Sequence, residues 1–216
     1  MRNCFIIYLG LILIVQSCLT YVIRENADST SEEDKQLNGN NKLYKEILKE
    51  FIDFSIKTSE VFYESTMKIQ EEMKENNDLP DGLPNRRHQK FYEILTDIKS
   101  SESTPAVLNV YKLTKEIVAA DQEVDKFRGD TSSAQLIEKY KIREVMDKIR
   151  DRYTTFYENV SKAVEAYWDE LNESQKEEQE LLFDWNKVFK KEKKFQLKAP
   201  KFIYFFHIFM PFGDED

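Results

Sequence analysis

Cysteine is almost missing from this chain: Cys4 and Cys18 lie in an apolar N-terminal segment, and no cysteine follows Cys18. An exported animal domain of this size would often carry disulfides, because its compartment is oxidising. The long body of this chain can form none. The sequence therefore excludes a disulfide-stabilised body and a cysteine nucleophile within it.

Histidine is nearly as scarce, since His88 and His207 are the only two. Neither has a second histidine or a cysteine at the spacing of zinc ligands. Glycine-rich phosphate loops and nucleophile elbows are absent, and no Glu-x-x-His pair of the ferritin-like metal sites occurs. We therefore expect no catalytic residue, no metal and no cofactor, and a protein that is not an enzyme.

Positive charge is in deficit, because the formal net charge is −8. Nucleic-acid binding needs a concentrated basic face. The one sizeable basic run is C-terminal and contains Lys190, Lys191, Lys193, Lys194, Lys198 and Lys201. The balance of charge argues against a nucleic-acid partner.

Glycine and proline, five of each, are too few to interrupt the chain often. From Lys42 onward apolar residues recur at three- and four-residue steps, which is the helical period. Breaks are predicted near Pro80–Pro84, before Pro105, at Gly129 and near Asn172. We therefore predict an all-α domain over residues 42–201, an elongated bundle of about five helices. The clearest row of apolar residues along one helical face, which we call the seam, consists of Ile142, Val145, Ile149, Tyr153, Phe156, Val160, Val164, Tyr167 and Leu171.

The N-terminus reads as an export signal over residues 1–17, with Arg2 ahead of an unbroken apolar run from Phe5 to Val15. That run is too short to span a membrane, which needs about 20 residues. Cleavage after Ser17 would leave Cys18 at the new N-terminus, and cleavage after Thr20 would release an unmodified protein. Residues 18–41 are predicted to form a lipidated N-terminus followed by a disordered tether. The tether is the polar stretch from Arg24 to Asn41, and it has a reach of roughly 20–25 Å.

Val15-Gln16-Ser17-Cys18 is similar to a bacterial lipobox, with Gln16 where a small residue is usual. Together with the polar tether and the cysteine-free helical body, this segment makes the chain resemble the outer-surface lipoproteins of Lyme-disease and relapsing-fever spirochaetes. The resemblance implies acylation of Cys18, a place on the outer membrane at the cell surface, and a helical bundle that binds a host protein. Complement regulators and extracellular-matrix components are the partners it implies, in adhesion or immune evasion. Subfamily and oligomeric state stay open.

Two alternatives remain. The chain could be a freely secreted eukaryotic effector, in which case Asn159 and Asn172 would begin glycosylation sequons. It could instead be a lipid- or membrane-interacting helical protein that uses its aromatic C-terminal segment, residues 202–216.

Two clusters are candidate contact sites. Arg86, Arg87 and His88 follow a proline-containing loop and could bind a partner. Four of the fifteen phenylalanines, Phe202, Phe205, Phe206 and Phe209, follow the basic run. They could contact a membrane or a partner. Alternatively, Pro200 turns the chain so that the four rings dock onto the bundle.

Overall fold

The computed structural model describes residues 41–78, 86–126 and 131–209. Every regular element in those ranges is a helix, so the predicted all-α class is confirmed. The predicted signal peptide, Cys18 and nearly all of the tether lie outside the described residues. The elongated form of the bundle stays a prediction.

Eight helices occur in the described ranges, compared with the expected five or so. Their bounds are α1 Lys42–Glu75, α2 Arg86–Ser100, α3 Val107–Lys126, α4 Thr131–Lys139, α5 Ile142–Asp169, α6 Glu173–Glu178, α7 Glu180–Lys191 and α8 Phe195–Phe209.

α1 begins where Asn41 caps it, because the Asn41 side-chain oxygen accepts hydrogen bonds from the amides of Leu43 at 2.8 Å and Tyr44 at 3.4 Å. These are orphan amides of the first turn, which asparagine satisfies well. The Asn41 amide group also donates to the Tyr167 hydroxyl at 2.8 Å. Asn41 therefore fixes the start of the folded body against α5.

The sequence predicts one helix between the breaks at Gly129 and Asn172, and this prediction is wrong, because the chain leaves the helical conformation at Lys141. Lys141 is in the left-handed conformation, with φ 52° and ψ 33°, between α4 and α5. Non-glycine residues adopt this region at a cost, and lysine gives no signal for it. The seam itself is confirmed within α5, where Ile149, Tyr153 and Val160 are fully buried.

α8 continues through Pro200, so the predicted turn at this proline is wrong. A proline inside a helix lacks one hydrogen-bond donor and costs roughly 3 kcal/mol. Apolar side chains on both sides of Pro200 are buried, including Phe195, Ala199, Phe202 and Phe205. Their burial, at about 1.5–3 kcal/mol for each large side chain, exceeds the cost of the proline.

The centre of the core is aromatic and joins α1, α5, α7 and α8. The ring of Phe202 lies 5.0 Å from that of Phe51 on α1 and 5.3 Å from that of Phe156 on α5. Tyr157 and Phe206 lie 5.3 and 5.5 Å from the same ring. These tilted and edge-on contacts are the favoured geometries of aromatic pairs.

One buried ion-pair network joins α3, α5 and α8. The Asp121 carboxylate is fully buried and accepts from Arg150 Nε at 2.7 Å, while Arg150 Nη2 lies 2.6 Å from the same oxygen. Gln196 Nε2 of α8 donates to the other oxygen of Asp121. Burial raises the pKa of Asp121, and the bonds from Arg150 oppose that rise.

Candidate functional site

The predicted sites fall in different parts of the protein. Arg86 and Arg87 form the first turn of α2, and their side chains are outside what the structure describes. His88 is half-buried. Cys18 lies outside the described residues.

Phe202, Phe205, Phe206 and Phe209 are core side chains, each no more than 2% exposed. In this conformation they dock onto the bundle and present no surface to a membrane or a partner. The docking comes from α8 itself, on which these residues recur at three- and four-residue steps and so share one face. The predicted boundary at residue 202 lies inside this helix.

α7 and α8 each carry two exposed apolar side chains. Leu181 and Val188 are 46% and 55% exposed on α7, and Leu197 and Tyr204 are 50% and 43% exposed on α8. Each pair is separated by seven residues, so its members lie on one side of their helix. Among the described residues, only Val61 and Tyr92 are other large apolar side chains with comparable exposure. We call Leu181, Val188, Leu197 and Tyr204 the α7–α8 surface.

The same helical pair is basic in an acidic protein. Residues 180–209 contain seven lysines and three carboxylates, whereas the whole chain has a net charge of −8. α7 and α8 pack as neighbours, and the indole nitrogen of Trp185 donates to the Lys201 carbonyl at 2.8 Å. The basic run predicted from the sequence is therefore carried by two packed helices and the connection between them.

A cleft of about 250 Å³ lies between α5 and the connection from α7 to α8. One wall comes from α5, where the lining residues recur at the helical period. The other wall comes from the end of α7, the connection and the start of α8. The lining residues are Thr154, Tyr157, Glu158, Ser161, Lys162, Glu165, Lys190, Glu192, Lys193, Phe195 and Lys198, and we call this the Lys198 cleft.

Two of the three cleft glutamates are already neutralised. Glu165 pairs with Lys190. Glu192 accepts from the amides of Lys193 and Lys194, each at 3.0 Å, and from Lys201 Nζ at 2.9 Å. The bond from Lys201 and these amides hold the pKa of Glu192 below its usual value.

Lys198 is buried in the cleft wall, with 9% of its surface exposed. Its ammonium group lies 4.6 Å from the ring centre of Phe189 and 6.0 Å from that of Tyr157. No carboxylate among the described residues lies within 4 Å of it. Burial lowers the pKa of Lys198, as does the nearby charge of Lys193.

Two residues of the α5 wall carry hydroxyl oxygens that are buried away from solvent. Tyr157 and Ser161, one helical turn apart on α5, line the cleft and are 1% and 4% exposed. Neither hydroxyl oxygen has a hydrogen-bond partner in the part of the chain that the structure describes. Burial raises the pKa of the Tyr157 phenol, which therefore keeps its proton.

Sequence reasoning missed this cleft. In the sequence Lys198 belongs to a basic run, but it also falls three residues after Phe195 and four before Phe202, on the apolar face of α8. A position on the apolar face of a helix indicates that the Lys198 side chain is buried. The missing partners of Tyr157 and Ser161 depend on packing between distant helices and had no sequence signal.

Across residues 41–78, 86–126 and 131–209, no group of three or more histidine, cysteine, aspartate and glutamate side chains is arranged to hold a metal ion. No helix in these ranges combines the length and the apolar character needed to cross a membrane. Comparison with protein-family models, with curated proteins and with solved structures found no significant match to this chain.

Proposed function

We propose that this chain is a lipid-anchored bacterial surface protein whose helical bundle binds a host protein. Cys18, at the end of the leader, would carry the acyl chains in the outer membrane. The tether would hold the bundle roughly 20–25 Å from that anchor. Three acyl chains at about 0.8 kcal/mol per buried CH₂ would make release from the membrane negligible.

The observation that carries the binding role is the α7–α8 surface. Four well-exposed apolar side chains stand among lysines on two packed helices. Protein interfaces combine an apolar centre with a charged rim that steers association. A partner with an acidic surface around an apolar patch, such as a complement regulator or a matrix component, would complement it.

The anchor is tested by growing a diderm bacterial host with an alkyne-tagged fatty acid and expressing the full chain. We expect the label on wild type and on Cys4→Ser, and its loss in Cys18→Ser. Cys4 is the matched control because it is the only other cysteine. Equal labelling of Cys18→Ser and wild type would contradict the anchor.

The binding role is tested with the mature chain against purified complement regulators and matrix proteins on a biosensor. Val188→Lys and Leu197→Lys should each weaken binding about tenfold or more, because they place a charge in the centre of the interface. Val61→Lys is the matched control, since Val61 is an exposed valine on α1. Equal affinity of all three variants would exclude the α7–α8 surface. Binding to anionic vesicles alone would favour the membrane-interacting alternative instead.

A further inference from the structure

α4 and α5 meet at a strained residue. Lys141 is in the left-handed conformation, which a residue with a β-carbon adopts at a cost. Among the described residues, Asn77 is the only other non-glycine residue with a positive φ, and asparagine tolerates this region better than lysine does. Strain of this kind persists only where the surrounding contacts over-determine the local backbone. Contacts made by α4 must therefore hold the bend at Lys141.

The backbone at this junction also lacks hydrogen bonds that one continuous helix would form. No described side chain caps the start of α5. The first three amides of α5, at residues 142–144, have no acceptor in the helix and none on the rest of the described backbone. In a continuous helix they would donate to the carbonyls of residues 138–140. Joining α4 to α5 would add these bonds and relieve the strain at Lys141.

The bend is held by two residues at the end of α4 that bind the same carboxylate beyond the end of α1. Lys139 Nζ lies 2.6 Å from Asp78 Oδ2, and the Tyr140 hydroxyl donates to the same oxygen. The bond from Lys139, and then that from Tyr140, lowers the pKa of Asp78, so its carboxylate stays charged at neutral pH. Asp78 therefore ties the end of α4 to the end of α1.

Apart from this contact, α4 is lightly held. It is nine residues long and packs mainly on α5. Ile137 is its one described side chain in the continuous hydrophobic core, while Tyr140 is buried outside that core. A short element with few buried apolar contacts opens more easily than the bundle as a whole.

We propose that Lys141 is a hinge and that Asp78 is the latch that holds α4 bent away from the axis of α5. When the latch opens, α4 and α5 join into one helix over residues 131–169. Ile137 and Tyr140 then leave their buried positions, so the surface beside the end of α1 differs between the bent and the joined form. A partner that binds one form more tightly shifts the balance towards it. This device is independent of the lipid anchor and of the α7–α8 surface.

Spin labels test the hinge directly, because Cys18 is the only cysteine of the mature chain. The probe is the mature chain with Cys18→Ser, Gln135→Cys and Thr155→Cys, the last two at exposed positions. Pulsed electron paramagnetic resonance measures the distance between the two labels. In the joined form, a rise of 1.5 Å per residue places the two Cα atoms about 30 Å apart, and any bend at Lys141 shortens that distance. With the latch intact we expect mainly the shorter distance.

Asp78→Ala removes both latch bonds and should raise the ratio of joined to bent form about tenfold or more. Asp97→Ala is the matched control, because Asp97 is an exposed aspartate on α2, and it should leave the ratio unchanged. Adding Lys141→Gly to Asp78→Ala should restore the shorter distance, since glycine adopts the left-handed conformation freely and is a poor helix former. Hydrogen exchange at the amides of residues 142–144 should slow in Asp78→Ala, because the joined helix gives them acceptors.

A second variant tests the hinge with the latch in place. Lys141→Val should lengthen the distance, because a β-branched residue is strongly disfavoured in the left-handed conformation. An unchanged distance in both Asp78→Ala and Lys141→Val would overturn the proposal. A broad distribution with faster exchange throughout α4 would also overturn it, since α4 would then unfold instead of joining α5. A longer distance that Lys141→Gly does not reverse would contradict the position of the hinge.

Discussion

Replacing Phe202 by alanine should destabilise the whole bundle, because this ring is at the centre of the aromatic core. Phe202 is fully buried on α8. Phenylalanine-to-alanine changes in cores cost about 3–5 kcal/mol, and the cost is highest where the surroundings cannot collapse into the cavity. The neighbours here come from four helices and hold one another in place, so we expect about 4 kcal/mol. The rings around Phe202 are those of Phe51, Phe156, Tyr157, Phe189 and Phe206.

The assay is thermal unfolding followed by circular dichroism. For a domain of this size each kcal/mol lowers Tm by roughly 2–4 °C, so Phe202→Ala should lower it by roughly 8–16 °C. Tyr204→Ala is the matched control: it lies two residues away on α8 but is 43% exposed, and should change stability by less than about 1 kcal/mol.

Similar Tm values for the two variants would refute the position of α8 in the core. If Phe202→Ala lost binding to anionic liposomes while its Tm stayed unchanged, the C-terminal segment would be a membrane element. The structure predicts the opposite result: a large loss of stability in Phe202→Ala and a small one in Tyr204→Ala.

Three further predictions concern polar groups. Arg150→Leu leaves the Asp121 carboxylate buried without its cation and should cost about 3–5 kcal/mol near neutral pH by urea denaturation. Because burial raises the pKa of Asp121, the folded variant takes up a proton before the unfolded chain as pH falls, so this deficit should shrink in acid; a deficit independent of pH would contradict the network. Asn41→Ala should cost about 1–2 kcal/mol in the same assay, since it removes the α1 cap and the bond to Tyr167; no change would mean that the cap is not formed. Because burial lowers the pKa of Lys198 from 10.5, wild-type stability should rise relative to Lys198→Met as pH increases towards that value. A constant difference from neutral to alkaline pH would show that Lys198 is not buried.

The helices could be predicted where the apolar period is long. The α5 seam and the extent of α1 are of this kind, because one helical face carries the entire pattern. The breaks at Lys141 and Gln179 could not be predicted, since neither residue is a glycine or proline and tertiary packing decides the local backbone. At Pro200 the tendency of proline to end a helix is overridden, because apolar side chains on both sides of it are buried.

The candidate sites were less predictable than the helices. The basic run over residues 190–201 was visible in the sequence, but its lysines have different environments in the structure. Lys198 is buried against two rings, while Lys190 is an exposed partner of Glu165. Which lysine enters the core depends on how α8 packs against α5 and α7. A cleft assembled from helices that are distant in sequence has no local motif.

The most direct test of the proposed function is the intact mass of the N-terminal peptide from the native membrane fraction. The proposal predicts a mature chain that begins at Cys18, with a diacylglycerol group on its sulfur and an acyl chain on its amino group. An unmodified chain beginning at Tyr21 would contradict the lipid anchor and would favour a freely secreted protein.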